Sequence, residues 1–158
     1  MKTLSTKKLL LGQTVILLAG TLFAWSKLLD QISTFQFRYG TLFRFEDCAI
    51  PNPFTTPCLY GSIAFLVALF WSYYLYLKPN AKQEKYLRNF LIFCVAFAGS
   101  VVTYEFIEYY KVFDTGGIIK SCSPGAYPLK TPCFVGFISF LIASILSTMV
   151  IKRTKEIK

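Results

Sequence analysis

A bundle of four transmembrane helices is the fold this sequence predicts, and three observations predict it: four long apolar stretches, a one-sided charge distribution and an internal repeat. The 158-residue chain is 54% apolar and 18% aromatic, with mean hydropathy +0.50, more apolar surface than a water-soluble domain of this length buries. Four stretches, about 9–26, 58–77, 89–107 and 133–151, approach or match the roughly 20 helical residues that cross a hydrocarbon core of about 30 Å. Lys2, Lys7 and Lys8 precede the first stretch, Lys78, Lys82, Lys85 and Arg88 lie between the second and third, and Lys152, Arg153, Lys155 and Lys158 follow the fourth. Only Glu84 and Glu156 offset them, a balance of +9, while the other two connections balance to zero. Basic residues flanking membrane spans stay cytoplasmic, so both termini are expected there and the two neutral loops on the far side.

The repeat is explicit. Residues 56–72, beginning Thr56-Pro57-Cys58 and reaching Ser72, return 75 positions later as residues 131–147, from Thr131-Pro132-Cys133 to Ser147, with nine identities in 17 positions. Two units of about 9–77 and 89–151, joined by a cytoplasmic linker 78–88, make one membrane domain. Each unit holds two helices, so both enter from the same side and a pseudo-two-fold axis is expected along the membrane normal, relating two parallel two-helix repeats.

Taken in order, the first span follows a Lys7-Lys8 start that resembles a secretory signal peptide. It is expected to be retained, because Ala19-Gly20-Thr21 has a counterpart in Ala98-Gly99-Ser100 of the third span. Beyond spans one and three, the mixed segments 27–39 and 105–114 read as helical extensions stopped by Gly40 and by Gly116-Gly117. Pro51, Pro53 and Pro57 in one loop, and Pro124, Pro128 and Pro132 in the other, favour extended backbone. Helix restarts at each Thr-Pro-Cys, where threonine can cap and proline suits the first position, placing Cys58 and Cys133 in a first turn. Gly61, Ala64, Ala68 and Ser72 share one face of the second span, and Gly136, Ser139, Ala143 and Ser147 the same face of the fourth. Small stripes let helix backbones approach, so these two faces are expected to pack against each other, with a homo-oligomer seam as the competing use.

Five cysteines set the chemistry. Cys48 with Cys58, and Cys122 with Cys133, lie on the expected far side, where an oxidising compartment favours disulfides. Four cysteines allow three pairings, and the duplication favours Cys48–Cys58 and Cys122–Cys133. As structural bridges, each closes a loop of about ten residues, worth about 3 kcal/mol in the chain-entropy account. As reactive groups, Cys58 and Cys133 sit at helix N-termini, where a thiolate is stabilised and can exchange disulfides. Cys94, inside the third span, reads as a small buried hydrophobe.

Four spans, with cysteines in the loop between the first two and around the loop between the last two, resemble the disulfide-bond-formation protein B and vitamin K epoxide reductase class. That resemblance covers topology over most of the chain and implies a thiol-disulfide oxidoreductase with a quinone acceptor, using Cys58 and Cys133 with Cys48 and Cys122. The class uses a Cys-x-x-Cys pair, which this sequence lacks, and no arginine follows Cys58 or Cys133 closely.

Other chemistry is thinly represented. The chain has no histidine, so zinc and histidine-based acid-base sites are not expected, and no phosphate-cradling or nucleophile-elbow motif occurs. The +9 charge is split among three span-flanking segments, as lipid headgroup contact requires, and does not form a nucleic-acid footprint. Glu105, with Glu108 one turn on, lies near the outer boundary of span three, where Lys27 at matching depth is the expected partner. Gln13 in span one reads as an interhelical hydrogen-bonding group. Tyr73, Tyr74 and Tyr76 at one boundary, and Trp25, Tyr104, Tyr109 and Tyr110 at the other, form aromatic belts.

The first expectation is therefore a non-catalytic accessory or assembly component, with no cofactor, two stapled outer loops and a membrane or envelope protein as partner. The alternative is the quinone-linked oxidoreductase, and a third reading is a small oligomeric carrier using Glu105.

Overall fold

The computed structural model describes residues 2–43, 52–112 and 127–155. Within them are four helices, α1 (Lys2–Tyr39), α2 (Pro57–Leu77), α3 (Ala81–Tyr109) and α4 (Pro132–Lys155), two 3-10 turns (Pro53–Thr55 and Pro128–Lys130) and no strand. All four helices are long and apolar enough to cross a membrane, and the described residues form the all-helical bundle of an integral membrane protein.

The helix ends follow local chemistry. Helix α1 runs past its apolar stretch to Tyr39 and stops where Gly40 adopts φ +67°, its N–H bonded to the carbonyl of Gln36 at 2.8 Å. Glycine takes this left-handed conformation without a Cβ clash. Helix α3 ends at Tyr109, earlier than expected, with Lys111 at φ +49° and Val112 N–H bonded back to Ile107. Gly116 and Gly117 lie outside the described residues. At its other end α3 starts at Ala81, where Asn80 Oδ1 accepts the amides of Lys82 and Gln83. Most of the segment 78–88, read as a linker, is thus the opening of α3, because an asparagine cap begins a helix as soon as the chain has turned.

The helices form a ring in which α1 packs against α2 and α4, and α3 against α4, while the α2–α3 seam is thinner and the α1 and α3 backbones do not approach each other. The core follows the axis: Leu10, Leu17, Phe65, Ala68, Leu75, Leu87, Leu91, Phe140, Ala143 and Val150 are buried together. Its centre is the stack of Phe65 on Phe140, ring centroids 3.9 Å apart and 14° from parallel. These are corresponding residues of the two repeated segments.

The stack corrects the expected close approach of the small-residue faces. Ala68, Ser72, Ala143 and Ser147 are fully buried, but Gly61, Ala64, Gly136 and Ser139 are only half-buried. A Cβ on Gly61 would meet nothing within 4 Å, and one on Gly136 would meet the Phe65 ring at 3.6 Å. The Phe65 and Phe140 rings stand between α2 and α4, and Gly61, Ala64 and Gly136 border a cavity. Gly20 of α1 supplies the remaining room: a Cβ there would come within 2.4 Å of the Phe65 ring.

Candidate functional site

The two Thr-Pro-Cys segments enter the bundle alike. In each, a 3-10 turn opens on proline, and the threonine hydroxyl bonds the carbonyl of that proline: Thr56 to Pro53 at 2.9 Å, Thr131 to Pro128 at 2.8 Å. Pro57 and Pro132 then occupy first helical positions, where a missing N–H removes no helical bond. Cys58 and Cys133 follow in the first turns, as expected.

Their surroundings differ. Cys58 is disulfide-bonded, whereas Cys133 carries a thiol. Cys48 and Cys122 lie outside the described residues. The expected bridge between Cys122 and Cys133 is therefore not what this structure holds, and the thiol hydrogen-bonds to Glu105 instead. Glu105 is buried, 4% exposed, and its Oε2, 2.7 Å from Thr131 Oγ1, shares that hydroxyl's single hydrogen with the Pro128 carbonyl. Thr131 Oγ1 in turn accepts the Phe134 amide at 3.3 Å, the cap predicted for it, whereas Thr56 makes no side-chain cap. The expected pairing of Glu105 with Lys27 is not formed: Lys27 is exposed on α1, and α1 and α3 stand at opposite corners of the ring.

Beside both cysteines is a cavity of about 430 Å³ lined mainly by residues of α2, α3 and α4, with Ala24 of α1. Phe65, Phe90, Phe93, Phe97 and Phe140 line it, and Cys58, Cys94 and Cys133 all border it. Gly61, Ala64 and Gly136, the outer stripe residues, form part of the same wall. Part of the wall lies along the thin α2–α3 seam, and its chemistry suits an apolar, flat or chain-like molecule. Over this end, Tyr109 makes edge-on contacts with Tyr110 and Tyr127, at 5.2 and 5.6 Å, tying the second entry turn to the end of α3. Proximity of Tyr127 pushes the Tyr110 phenol above its usual range.

The opposite end is polar inside. Gln13, Ser72, Glu84 and Ser147, one from each helix, are buried at 0–2% exposure. Ser147 donates to Glu84 Oε1 at 2.5 Å, and Thr14 and Ser72 share a hydrogen at 2.9 Å. Sequence reasoning gave Glu84 to the cytoplasmic linker 78–88. Asn80, an N-cap residue four positions ahead, is the signal that would have placed it inside a helix.

The chain matches no family model, no curated protein and no solved structure.

Proposed function

We propose that this protein is a small membrane thiol-disulfide oxidoreductase whose outer end exchanges disulfides and whose cavity takes the lipophilic acceptor. The observation that carries this reading is the shared cavity: a bonded cysteine and a thiol, both in helix first turns, border one apolar chamber. A pair of purely structural staples gives no reason for one thiol to remain reduced beside a buried carboxylate. It gives no reason for a chamber beneath it either.

In this proposal the disulfide at Cys58 is the electrophile, with the Cys133 thiol beside the same chamber. A substrate thiolate attacks it, a substrate–Cys58 S–S bond forms, the old bond breaks and its far sulfur leaves as thiolate. A second substrate thiolate then displaces Cys58, so the substrate leaves as a disulfide and two electrons remain on the protein's dithiol for the acceptor. Glu105, the acceptor of the Cys133 thiol hydrogen, holds a carboxylate at this end. The resemblance implies a quinone as acceptor, a group that takes up two electrons and two protons when bound. The phenylalanine walls would hold its ring and chain, and Tyr60 is a wall residue with a hydroxyl for a carbonyl oxygen.

The same proposal places both termini in the cytoplasm by the distribution of Lys and Arg, with the cysteine end in an oxidising compartment. It treats the two Thr-Pro-Cys halves as parallel repeats about an axis along the membrane normal, a view supported by the matched entry turns and the Phe65–Phe140 stack. A second reading, a non-catalytic accessory component binding another membrane protein, is favoured by the near-identical entry turns, since copying is what a scaffold needs.

Trapping separates the two. Full-length protein in vesicles, challenged with a peptide carrying a single reduced cysteine, should form a mixed disulfide that is lost in Cys58→Ala. If that variant merely accumulates to lower levels, and no mixed disulfide forms with wild type, the accessory reading replaces the enzyme.

A further inference from the structure

We propose that Gln13, Glu84 and Ser147 form a binding site for a monovalent alkali cation of sodium size, at the basic end of the bundle, remote from the cysteines. The carboxylate of Glu84 is 2% exposed and the amide of Gln13 is 0% exposed. They lie side by side, yet Glu84 Oε2 and both Oε1 and Nε2 of Gln13 have no hydrogen-bond partner of good geometry. No lysine or arginine forms an ion pair with Glu84 among the described residues. Three unpartnered polar atoms in a membrane-embedded core are expensive unless something binds them.

The chemistry selects the ligand. One carboxylate facing neutral amide and hydroxyl groups balances a single positive charge, and a divalent ion would leave an excess charge in a low-dielectric interior. The available donors are oxygens from a carboxylate, an amide and Ser147, a hard set suited to alkali ions and without nitrogen or sulfur ligands. A proton on Glu84 Oε2 would satisfy that oxygen and Gln13 Oε1 but leave Nε2 orphaned. A cation between Oε2 and Oε1 lets Nε2 turn to the carboxylate, so all three are used. An approach is present on the Glu84 side: a cavity of about 60 Å³, lined also by Thr6, Asn80 and Thr154 and not by Gln13 or Ser147, reaches the carboxylate. A single water needs only about 10–15 Å³, so this cavity is wide enough to bring a hydrated ion's water to Glu84.

The test is the thermal unfolding of full-length protein in detergent at fixed pH and ionic strength, titrating sodium chloride against choline chloride, paired with equilibrium dialysis of radioactive sodium. Wild type should show a saturable rise in Tm, about 3 °C at a tenfold excess over the dissociation constant, and about one sodium bound per chain. Glu84→Gln and Gln13→Leu should lose both responses. Absence of the sodium response in wild type overturns the proposal, and so does a response that persists in Glu84→Gln. A Tm that follows pH and ignores sodium assigns a proton to the site and overturns it too. Should either variant fail to fold, the wild-type dialysis alone decides, and mixed-disulfide trapping at Cys58 is unaffected by any of these results.

Discussion

Thr56-Pro57-Cys58 and Thr131-Pro132-Cys133 are the same words in two settings, and the settings decide what the cysteines are. Both form a 3-10 turn and a proline-led helix, because those features need only the local chain. What differs arrives from elsewhere. At the second entry α3 brings Glu105, which collects hydrogens from Thr131 and Cys133. Aligning Ala19-Gly20-Thr21 with Ala98-Gly99-Ser100 puts Ser26 opposite Glu105 in the first unit, and Ser26 is exposed and bonded to its own helix at Phe23. Repetition thus sets the backbone, and one acidic side chain, Glu105, distinguishes the second entry from the first.

The strongest way to break the comparison is to remove what joins the halves. Phe65→Ala takes the stacked ring from between Gly20, Gly136 and Phe140 and should cost about 3–5 kcal/mol, read as a loss of resistance to denaturant in detergent. Next comes the pair of matched glycines. Gly20→Ala drives a methyl into the buried Phe65 ring, a contact of 2.4 Å, and should cost about 1–3 kcal/mol, whereas Gly99→Ala meets Phe137 at 3.3 Å and should cost much less. Equal effects would mean that the two halves pack more symmetrically than described.

The threonines sharpen the contrast further. Thr131→Ala removes a cap and a donor to buried Glu105 and should cost about 1–3 kcal/mol, while Thr56→Ala loses only its bond to Pro53 and should cost about 1 kcal/mol or less. Unfolding titrations of the two variants give the order directly. The smallest effect belongs to Gly61→Ala: nothing lies within 4 Å of the added methyl, so stability should stay within about 0.5 kcal/mol. A large loss there would mean the cavity wall is packed against something.

Much of this was legible in the chain. Hydropathy and length place the four helices, since a bilayer admits few other solutions, and Gly40 marks the end of α1 because left-handed backbone selects glycine. The twin entries are local and so could be read from Thr-Pro-Cys alone. Contacts across the bundle were not legible. Which residue meets Glu105 depends on α1 and α3 standing at opposite corners, a choice no pairing of charges by depth reveals. The outer small residues looked like a packing stripe, and only the placement of Phe65 and Phe140 turns them into a cavity wall. Glu84 falls in the segment 78–88 that reads as a linker, whereas an early cap at Asn80 carries it inside.

The central claim is that the repeated cysteines differ in redox state where they border one chamber. Alkylating full-length protein in native membranes, before and after mild reduction, and locating the label by mass spectrometry tests it most directly. The account predicts label on Cys133 without reductant and on Cys58 only after it. A Cys133 that resists label until reduction, or a Cys58 that takes it beforehand, contradicts the account.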